Sequence, residues 1–533
     1  PTGAFSGCAR LKSATINASI TALPPFIFEG CWYLSSVKLP STLTSIGEHA
    51  FTSCHSLSSI DIPDSVEIIG AQAFESASFK TIKLPSKLKA ISSHCFGYCS
   101  ELTSIEIPEG VTSIESYAFD NCSNLTNIEL PSTLDKIGKL AFTGCISLES
   151  ITLPSSLIEI GDYAFSAESY YDPASSTVCK SLKSVNIEPN SKLTTIGECA
   201  FKGCMELEEI ILPQSTKTIG GSAFKDCLKL KSVSLPDGLT SIGEYVFYNC
   251  QMLESISIPK FLDKIPRSMF FDCSALKTVT IAQDSALKSI EPYAFKNCLS
   301  LTEIDLSNTD VNAISDNAFY ACSSLTKVIF PNSLKEIGAS SFYGCIKLEE
   351  INLPNGLVTI GNSAFSECVA LTSVVIPNSV TELGQGSFMG CIELSEATLS
   401  SNLTEVKIRT FQNTALTTIV IPQGVTIIGD AAFRNTSLET ISLPDTVTEI
   451  GGFTFYETKL KEITLSNSLK SIGTNAFGYC INLKEISLPS TIESVGQGAF
   501  YGLLAKIYID KEKDSLDTST WGCSQSIITW RNE

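Results

Sequence analysis

Apolar and polar positions along this chain repeat every 22 or 23 residues around a phenylalanine, which we call the anchor. Each repeat reads approximately I-G-x-x-A-F-x-x-C-x-x-L-x-x-I-x-L-P-x-x-L-x-x, as in residues 114–134. This regularity predicts a series of similar coils that stack on one another. The register is shared by 22 of the 28 phenylalanines: Phe5, Phe28, Phe51, Phe74, Phe96, Phe119, Phe142, Phe165, Phe201, Phe224, Phe247, Phe270, Phe295, Phe319, Phe342, Phe365, Phe388, Phe411, Phe433, Phe455, Phe477 and Phe500.

The order of apolar and polar residues within one repeat predicts its local structure. Residues 125–130 alternate between apolar and polar at their end and contain β-branched side chains, which favours a short strand. Pro131 ends that strand because proline has no N–H to donate. Residues 134–137 then return along an irregular path, Gly138 turns the chain, and about one helical turn carries Phe142 into the core.

A single repeat has one apolar edge that it cannot bury alone, whereas stacked repeats bury all such edges in one core. We therefore predict a right-handed coil of about 22 turns, with parallel strands on one face and irregular or short helical turns on the other. The solenoid is expected to span residues 1–509, without an N-terminal cap. Residues 510–533, which include Trp521 and Trp530, are expected to form a C-terminal capping segment.

The repeat resembles the BspA-like, or Treponema-type, class of leucine-rich repeats, whose unit has the same length. The resemblance rests on the recurring I-G-x-x-A-F-x-x-C-x-x-L pattern and covers the chain from Phe5 to about Ile509. It implies a leucine-rich repeat solenoid of the α/β type. It also implies a cell-surface or extracellular location in a microbe, often in adhesins that bind extracellular-matrix or plasma proteins of a host.

Composition limits the classes of partner. Hydrophobic residues make up 43% of the 533-residue chain and charged residues only 17%, which permits a packed core and excludes wholesale disorder. The formal net charge of −19 argues against nucleic acid or an anionic membrane as the main partner. No apolar run is long enough to cross a bilayer and no signal pattern is recognisable, so membrane insertion is not expected.

Most of the 20 cysteines belong to the repeat, since sixteen of them lie three residues after an anchor. Cys179 keeps the same spacing to the following strand after an insertion. We predict that these thiols are buried and fill a small pocket beside the anchors. The predicted structural ladder is represented by Phe119, Phe142, Phe224, Cys122, Cys145, Cys227 and Cys322.

Disulfides between neighbouring coils are an alternative for the ladder, because a coil step of about 4.8 Å is within the permitted Cα separation. Parallel Cβ vectors would hold the Cβ atoms too far apart, however, and the sixteen thiols together with Cys179 are odd in number. Zinc requires closely spaced Cys or His ligands such as C-x-x-C, which the sequence lacks, so no metal is expected.

The sequence contains no catalytic or cofactor-binding pattern. H-E-x-x-H and G-x-S-x-G are absent, and the three histidines, His49, His55 and His94, lie near one end. Residues 356–363 superficially resemble a phosphate loop, but Asn362 stands where the lysine is required. We therefore expect neither enzyme activity nor a cofactor.

Two candidate binding surfaces follow from the repeat itself. Ser, Thr, Lys and Glu dominate the strand surface, which predicts a solvated sheet with few interaction hot spots. Tyrosines recur on the turns beside the anchors, where they either form a binding stripe or pack over neighbouring coils as a lid on the core. Four tyrosines precede an anchor by two residues, namely Tyr117, Tyr163, Tyr245 and Tyr293. Five tyrosines directly follow an anchor, namely Tyr248, Tyr320, Tyr343, Tyr456 and Tyr501.

The third candidate is the one large insertion in the repeat. Phe165 and Phe201 are 36 residues apart, 13 more than the usual 23, which assigns residues 166–178 to an inserted loop. Tyr170, Tyr171 and Asp172 would present adjacent rings on a turn, and insertions in solenoids often carry binding. Neutral drift of a surface loop is the alternative.

These features together predict a non-enzymatic protein-binding module of a microbial cell-surface or secreted protein. By the family resemblance, its partners are expected to be protein ligands such as extracellular-matrix or plasma proteins, with adhesion as the result. Nucleic acid is not expected as a partner. The alternative is a structural or scaffolding solenoid that sets a distance or self-associates.

Overall fold

The computed structural model describes residues 1–17, 19–166 and 181–532 and confirms a solenoid of parallel strands. The chain forms two units, Pro1–Leu262 with Ser268–Leu276 and Asp263–Arg267 with Lys277–Glu533. The predicted insertion residues Tyr170, Tyr171 and Asp172, together with Cys179, lie outside the described residues.

Most coils contribute an outer strand, from the L-x-x-I-x-L segment, and a return strand of two residues. In the first unit the outer strands are Ser13–Thr15, Ser36–Lys38, Thr81–Ile82, Ser104–Glu106, Asn127–Glu129, Ser150–Leu153, Ser184–Ile187, Glu209–Ile211, Ser232–Ser234 and Ser255–Ile258. Its return strands are Ala22–Leu23, Ser45–Ile46, Ile68–Ile69, Ala90–Ile91, Ser113–Ile114, Lys136–Ile137, Glu159–Ile160, Thr195–Ile196, Thr218–Ile219 and Ser241–Ile242.

The second unit has the same two sets of strands. Its outer strands are Thr278–Ile281, Glu303–Asp305, Lys327–Ile329, Glu350–Ile351, Ser373–Val375, Glu396–Thr398, Thr440–Ser442, Glu462–Thr464 and Glu485–Leu488, followed by Lys506–Glu512 and Ile528–Asn532. Its return strands are Lys264–Ile265, Ser289–Ile290, Ala313–Ile314, Glu336–Ile337, Thr359–Ile360, Glu382–Leu383, Glu405–Val406, Ile427–Ile428, Glu449–Ile450, Ser471–Ile472 and Ser494–Val495.

The return path is more regular than the sequence indicates. Lys136–Ile137 pairs in parallel with Ser113–Ile114 on one side and with Glu159–Ile160 on the other. A glycine follows many of the return strands and permits this close pairing, because a Cβ added at Gly138 would lie 2.7 Å from the carbonyl carbon of Glu115. The backbones of neighbouring coils thus touch at this corner, and the coils are held together by a second ladder of hydrogen bonds.

The anchor phenylalanines form a column of stacked rings in each unit. Consecutive ring centroids are 5.1–5.8 Å apart from Phe5 to Phe270 in the first unit. They are 5.0–5.8 Å apart from Phe295 to Phe500 in the second. Apart from Phe5 these rings are buried. Burial of one such ring stabilises its coil by roughly 1.5–3 kcal/mol.

The segment around each anchor is a series of tight turns and not the helical turn that the sequence indicates. The residues two before and two after an anchor have positive φ, for example Tyr117 at 61° and Asn121 at 56° around Phe119. This geometry directs N–H groups to the next coil, as when the Phe119 N–H donates to the Ala141 carbonyl at 2.8 Å. In a helix these N–H groups would bond within their own coil. The only helical segment among the described residues is the 3₁₀ turn Gln525–Ile527.

The cysteines of the ladder join neighbouring coils through weak hydrogen bonds. The Sγ–H of Cys122 donates to the carbonyl oxygen of Phe96, the anchor of the preceding coil, at 3.1 Å. Two coils that lack the cysteine use threonine instead, and the hydroxyls of Thr414 and Thr436 donate to the anchor carbonyl of their own coil at 2.9 Å. The position favours a small buried donor, although Ala77 occupies it in the coil of Phe74 without one. The same inter-coil bond, at 3.2–3.3 Å, is made by Cys145, Cys227 and Cys322.

The outer-strand surface of the first unit carries charges of alternating sign. Lys183 Nζ lies 2.9 Å from the Glu149 carboxylate, and Lys231 Nζ lies 2.8 Å from that of Glu208. Opposite charges thus pair between neighbouring coils. In five successive repeats, the residue after the inward-facing Leu is Glu149, Lys183, Glu208, Lys231 and Glu254.

Trp521 packs against the last anchor of the second unit. Its side chain is 1% exposed, and its ring centroid lies 5.4 Å from that of Phe500. The Phe500 N–H donates to the Trp521 carbonyl at 3.0 Å, and Ile528–Asn532 pairs in parallel with Lys506–Glu512. We propose that residues 510–533 cover the final coil, as expected from the sequence.

Candidate interaction surfaces

The four tyrosines two residues before an anchor are half-buried on the turns. Their φ angles lie between 56° and 62°, a conformation that costs a non-glycine residue of order 1 kcal/mol or more. The inter-coil hydrogen bonds of the turn hold them in this conformation. Along the sequence, at least one repeat without such a tyrosine lies between any two of the four. Each of them therefore belongs to a separate local cluster. These residues are Tyr117, Tyr163, Tyr245 and Tyr293.

Tyr117 lies in a cluster of titratable groups in the first unit. Its ring stacks on that of His94 with a centroid distance of 4.4 Å and an interplanar angle of 7°. Asp120, which is only 5% exposed, accepts a hydrogen bond from the Asn121 side-chain amide at 2.9 Å. Burial raises the pKa of Asp120 to about 6 and lowers the pKa of His94.

Tyr163 lies two repeats after Tyr117. Its backbone N–H donates to the Glu198 carbonyl at 2.7 Å.

Tyr245 belongs to an aromatic cluster in the first unit. Its ring centroid lies 6.1 Å from that of Tyr248, which in turn stacks on Phe271 at 4.8 Å. The Lys225 ammonium lies 4.6 Å from the centroid of the Tyr248 ring, within the range of a cation–π interaction. These contacts tie three neighbouring coils together, which agrees with the role of a partial lid.

Tyr293 belongs to a similar cluster in the second unit. The Arg267 guanidinium lies 5.3 Å from its ring centroid and the Lys296 ammonium 5.6 Å from it. Lys296 also lies 4.5 Å from the centroid of Tyr320, whose ring stacks on Tyr343 at 4.9 Å. Cations and neighbouring rings therefore occupy part of the surface that these tyrosines would offer to a partner.

A further aromatic group on the turns is the tyrosine row, formed by Tyr456, Tyr479 and Tyr501 in consecutive coils. Its ring centroids are 5.4 Å and 5.3 Å apart, in edge-to-face geometry. Tyr479 is 41% exposed and Tyr501 49% exposed. The Arg434 guanidinium lies 5.1 Å from the centroid of the Tyr456 ring.

Two glycines position the tyrosine row. A Cβ added at Gly478 would lie 2.8 Å from Cδ2 of Tyr456, and one added at Gly502 would lie 3.1 Å from Cδ1 of Tyr479. The rings of Tyr456 and Tyr479 thus pack against the glycine of the next coil. The sequence analysis missed Tyr479 because it follows its anchor by two residues instead of one. The available signal was the glycine that stands beside tyrosine in both 478–479 and 501–502.

The buried thiols are poor nucleophiles. Burial raises the pKa of Cys99 and of Cys322 to about 12, so both are protonated at neutral pH. Burial also raises the pKa of Cys122 and of Cys227. In the described parts of the chain, no three side chains of His, Cys, Asp or Glu are grouped so as to hold a metal ion. None of the helical structure described there has the length and apolar character of a membrane span.

Comparison with known repeat families identifies the chain. The family described as "BspA type Leucine rich repeat region (6 copies)" matches residues 1–103, 89–174, 172–302, 288–416 and 404–527. The chain belongs to this family. The BspA-type assignment confirms the resemblance seen in the repeat, and leucine-rich repeat proteins are typically scaffolds that bind other proteins.

Several solved structures resemble this BspA-type chain. A leucine-rich repeat protein from Bacteroides ovatus is 24% identical, and the match covers 72% of this chain and 86% of that one with a TM-score of 0.42. A leucine-rich cell surface protein from Faecalibacterium prausnitzii is 26% identical, with 59% and 87% covered and a TM-score of 0.37. The leucine-rich repeat protein of T. pallidum is 25% identical, with 38% and 78% covered and a TM-score of 0.28. No curated protein matches the chain in sequence.

Proposed function

We propose that this BspA-type chain is a non-enzymatic protein-binding module, displayed on or released from a microbial cell, that adheres to host or neighbouring-cell proteins. The tyrosine row carries this proposal because it presents one half-buried and two exposed rings on three consecutive coils. Tyrosine is enriched in binding hot spots since its ring covers a large area with few rotatable bonds. The rings of Tyr456 and Tyr479 are held against glycines of the next coil, so little of their conformational entropy is lost when a partner binds.

The test is to measure binding of the intact chain to a panel of immobilised extracellular-matrix and plasma proteins. For any protein that binds, Tyr479→Ala combined with Tyr501→Ala is expected to weaken affinity by at least about tenfold. Tyr98→Ala is the matched control, because Tyr98 is 49% exposed and also follows a glycine two residues after its anchor. Unchanged affinity in the double variant would refute the role of the tyrosine row. Failure of the whole panel to bind would favour the structural or scaffolding alternative.

The inserted segment 166–178 is a second proposed contact region, with Tyr170, Tyr171 and Asp172 as its contact residues. Removal of these 13 residues restores the usual spacing between anchors, so the solenoid is expected to keep its melting temperature. Binding to a partner from the panel is expected to fall, and Tyr170→Ala with Tyr171→Ala should reproduce most of that loss. A large decrease in stability would instead assign the segment a structural role.

A further inference from the structure

An exposed aliphatic row crosses three consecutive coils of the second unit. It consists of Ile346, Val369 and Ile392, each four residues after an anchor, where the turn leads into the outer strand. Ile346 is 44% exposed and Ile392 56% exposed, and Val369 is half-buried. Exposed aliphatic side chains in adjacent positions favour an interaction surface over an ordinary solvated face.

The spacing of the aliphatic row matches the pitch of an α-helix. The anchors of the three coils have ring centroids 5.2 Å apart between Phe342 and Phe365, and 5.5 Å apart between Phe365 and Phe388. One turn of an α-helix rises about 5.4 Å. A helix that lies along the row can therefore place one side chain per turn against each coil. A strand would not match, since its side chains on one face are about 6.6 Å apart.

Most of the charged groups beside the aliphatic row are carboxylates. Residues 348–406 contain no Lys, Arg or His. Four exposed carboxylates of this segment lie one to four residues from Ile346 or Ile392 in the sequence, and none of the four forms an ion pair with any described residue. Three basic residues bound the segment: Lys347 directly follows Ile346, Lys327 stands opposite Glu350 in the neighbouring strand, and Lys407 follows the last residue. The four carboxylates are those of Glu349, Glu350, Glu393 and Glu396.

We propose that the aliphatic row docks a basic amphipathic helix of a partner protein. One apolar side chain per turn of that helix would pack against Ile346, Val369 and Ile392, and flanking Lys or Arg side chains would face the carboxylates. Apolar contact supplies most of the affinity in helix-in-groove recognition, while complementary charge sets orientation and speeds association. The proposal goes beyond the binding assigned to the tyrosine row and does not depend on it.

The probe is a labelled synthetic helix of about 18 residues with Leu at one position per turn and Lys on both flanks. Fluorescence anisotropy with the intact chain is expected to show saturable binding that weakens as salt increases. Ile346→Ser combined with Ile392→Ser should weaken binding by at least about tenfold. Glu393→Lys combined with Glu396→Lys should do the same and also reduce the dependence on salt.

The matched control is Ile481→Ser, because Ile481 is 61% exposed at the same position of its coil but lies outside the aliphatic row. This variant, and the Tyr479→Ala and Tyr501→Ala pair, should bind the peptide as the unaltered chain does. A peptide with Glu in place of every Lys should not bind. Three results would each overturn the proposal: no saturable binding of the Lys peptide, equal binding of the Glu peptide, or an equal loss in Ile481→Ser. All substituted side chains are exposed, so the variants are expected to fold. Circular dichroism melting is the measurement that checks this.

Discussion

Equivalent positions of the coil carry different charge arrangements in two regions of the molecule. One region is the outer-strand surface of the first unit, and the other surrounds the aliphatic row of the second unit. In the first, Glu208 and Lys231 follow the inward-facing Leu of adjacent coils and form an ion pair. In the second, Glu349 stands at the same position and Glu396 one residue later, and neither has such a partner among the described residues. Exposed ion pairs add little to stability, so alternation of charge mainly neutralises the surface. Carboxylates without partners leave a local charge available for binding.

The strongest test of this comparison is whether the two regions share an equivalent core. Phe224→Ala in the first unit and Phe365→Ala in the second each remove a fully buried ring. Each is expected to lower the free energy of unfolding by about 3–5 kcal/mol. Native-state hydrogen exchange of the surrounding coils measures the two effects separately. A decrease of less than about 1 kcal/mol in the free energy of unfolding of either variant would contradict an equivalent core. Part of the difference between the two surfaces would then come from the packing beneath them.

Asp120→Asn tests what a buried charge contributes in contrast to the exposed ones. Burial raises the pKa of Asp120 to about 6, and its ordinary value is about 4. The folded state therefore binds the Asp120 proton more tightly than the unfolded state does. The stability that this proton contributes in acid is lost as the pH rises from about 4 through 6. At pH 7 the neutral amide should raise the melting temperature, by the equivalent of up to about 3 kcal/mol.

The pH dependence of this variant supplies its control. The difference in melting temperature between Asp120→Asn and the unaltered chain should shrink as the pH falls and approach zero below about pH 3, where the carboxyl group is protonated in both states. The neighbouring groups His94 and Glu75 are the same in both proteins, so the difference isolates Asp120. A variant that is less stable at pH 7 would mean that the carboxylate is more favourable in the fold than its burial indicates.

The smallest expected effect comes from the surface charges themselves. Lys231→Ala should lower the denaturation midpoint slightly at about 20 mM salt, since it removes the ion pair with Glu208, and about 0.5 M salt should remove the difference. Glu349→Ala is the matched variant in the second unit and should leave the midpoint unchanged or slightly higher. If Glu349→Ala destabilises the chain as much as Lys231→Ala does, the carboxylates beside the aliphatic row contribute to stability and the contrast between the two regions disappears.

The candidate surfaces were only partly accessible to sequence reasoning. Tyr117, Tyr245 and Tyr293 were recognisable because they recur at one position relative to the anchor. The residues that contact these tyrosines were not recognisable from the sequence. His94 reaches Tyr117 only because neighbouring coils stack, and Lys296 approaches Tyr293 only because of the turn geometry. The alternation of Glu and Lys in the first unit is visible in the sequence only after the register between coils is known.

The sequence by itself determined the period, the anchors, the position of the outer strands and the family. It did so because a solenoid repeats the same inward-facing residues in every coil, so that one hydrophobic pattern recurs along the chain. The left-handed residues on both sides of Phe119, the second parallel ladder and the thiol hydrogen bonds were decided by the tertiary structure. These features depend on which backbone groups face each other across about 5 Å between coils, and that proximity joins residues more than 20 positions apart in the sequence.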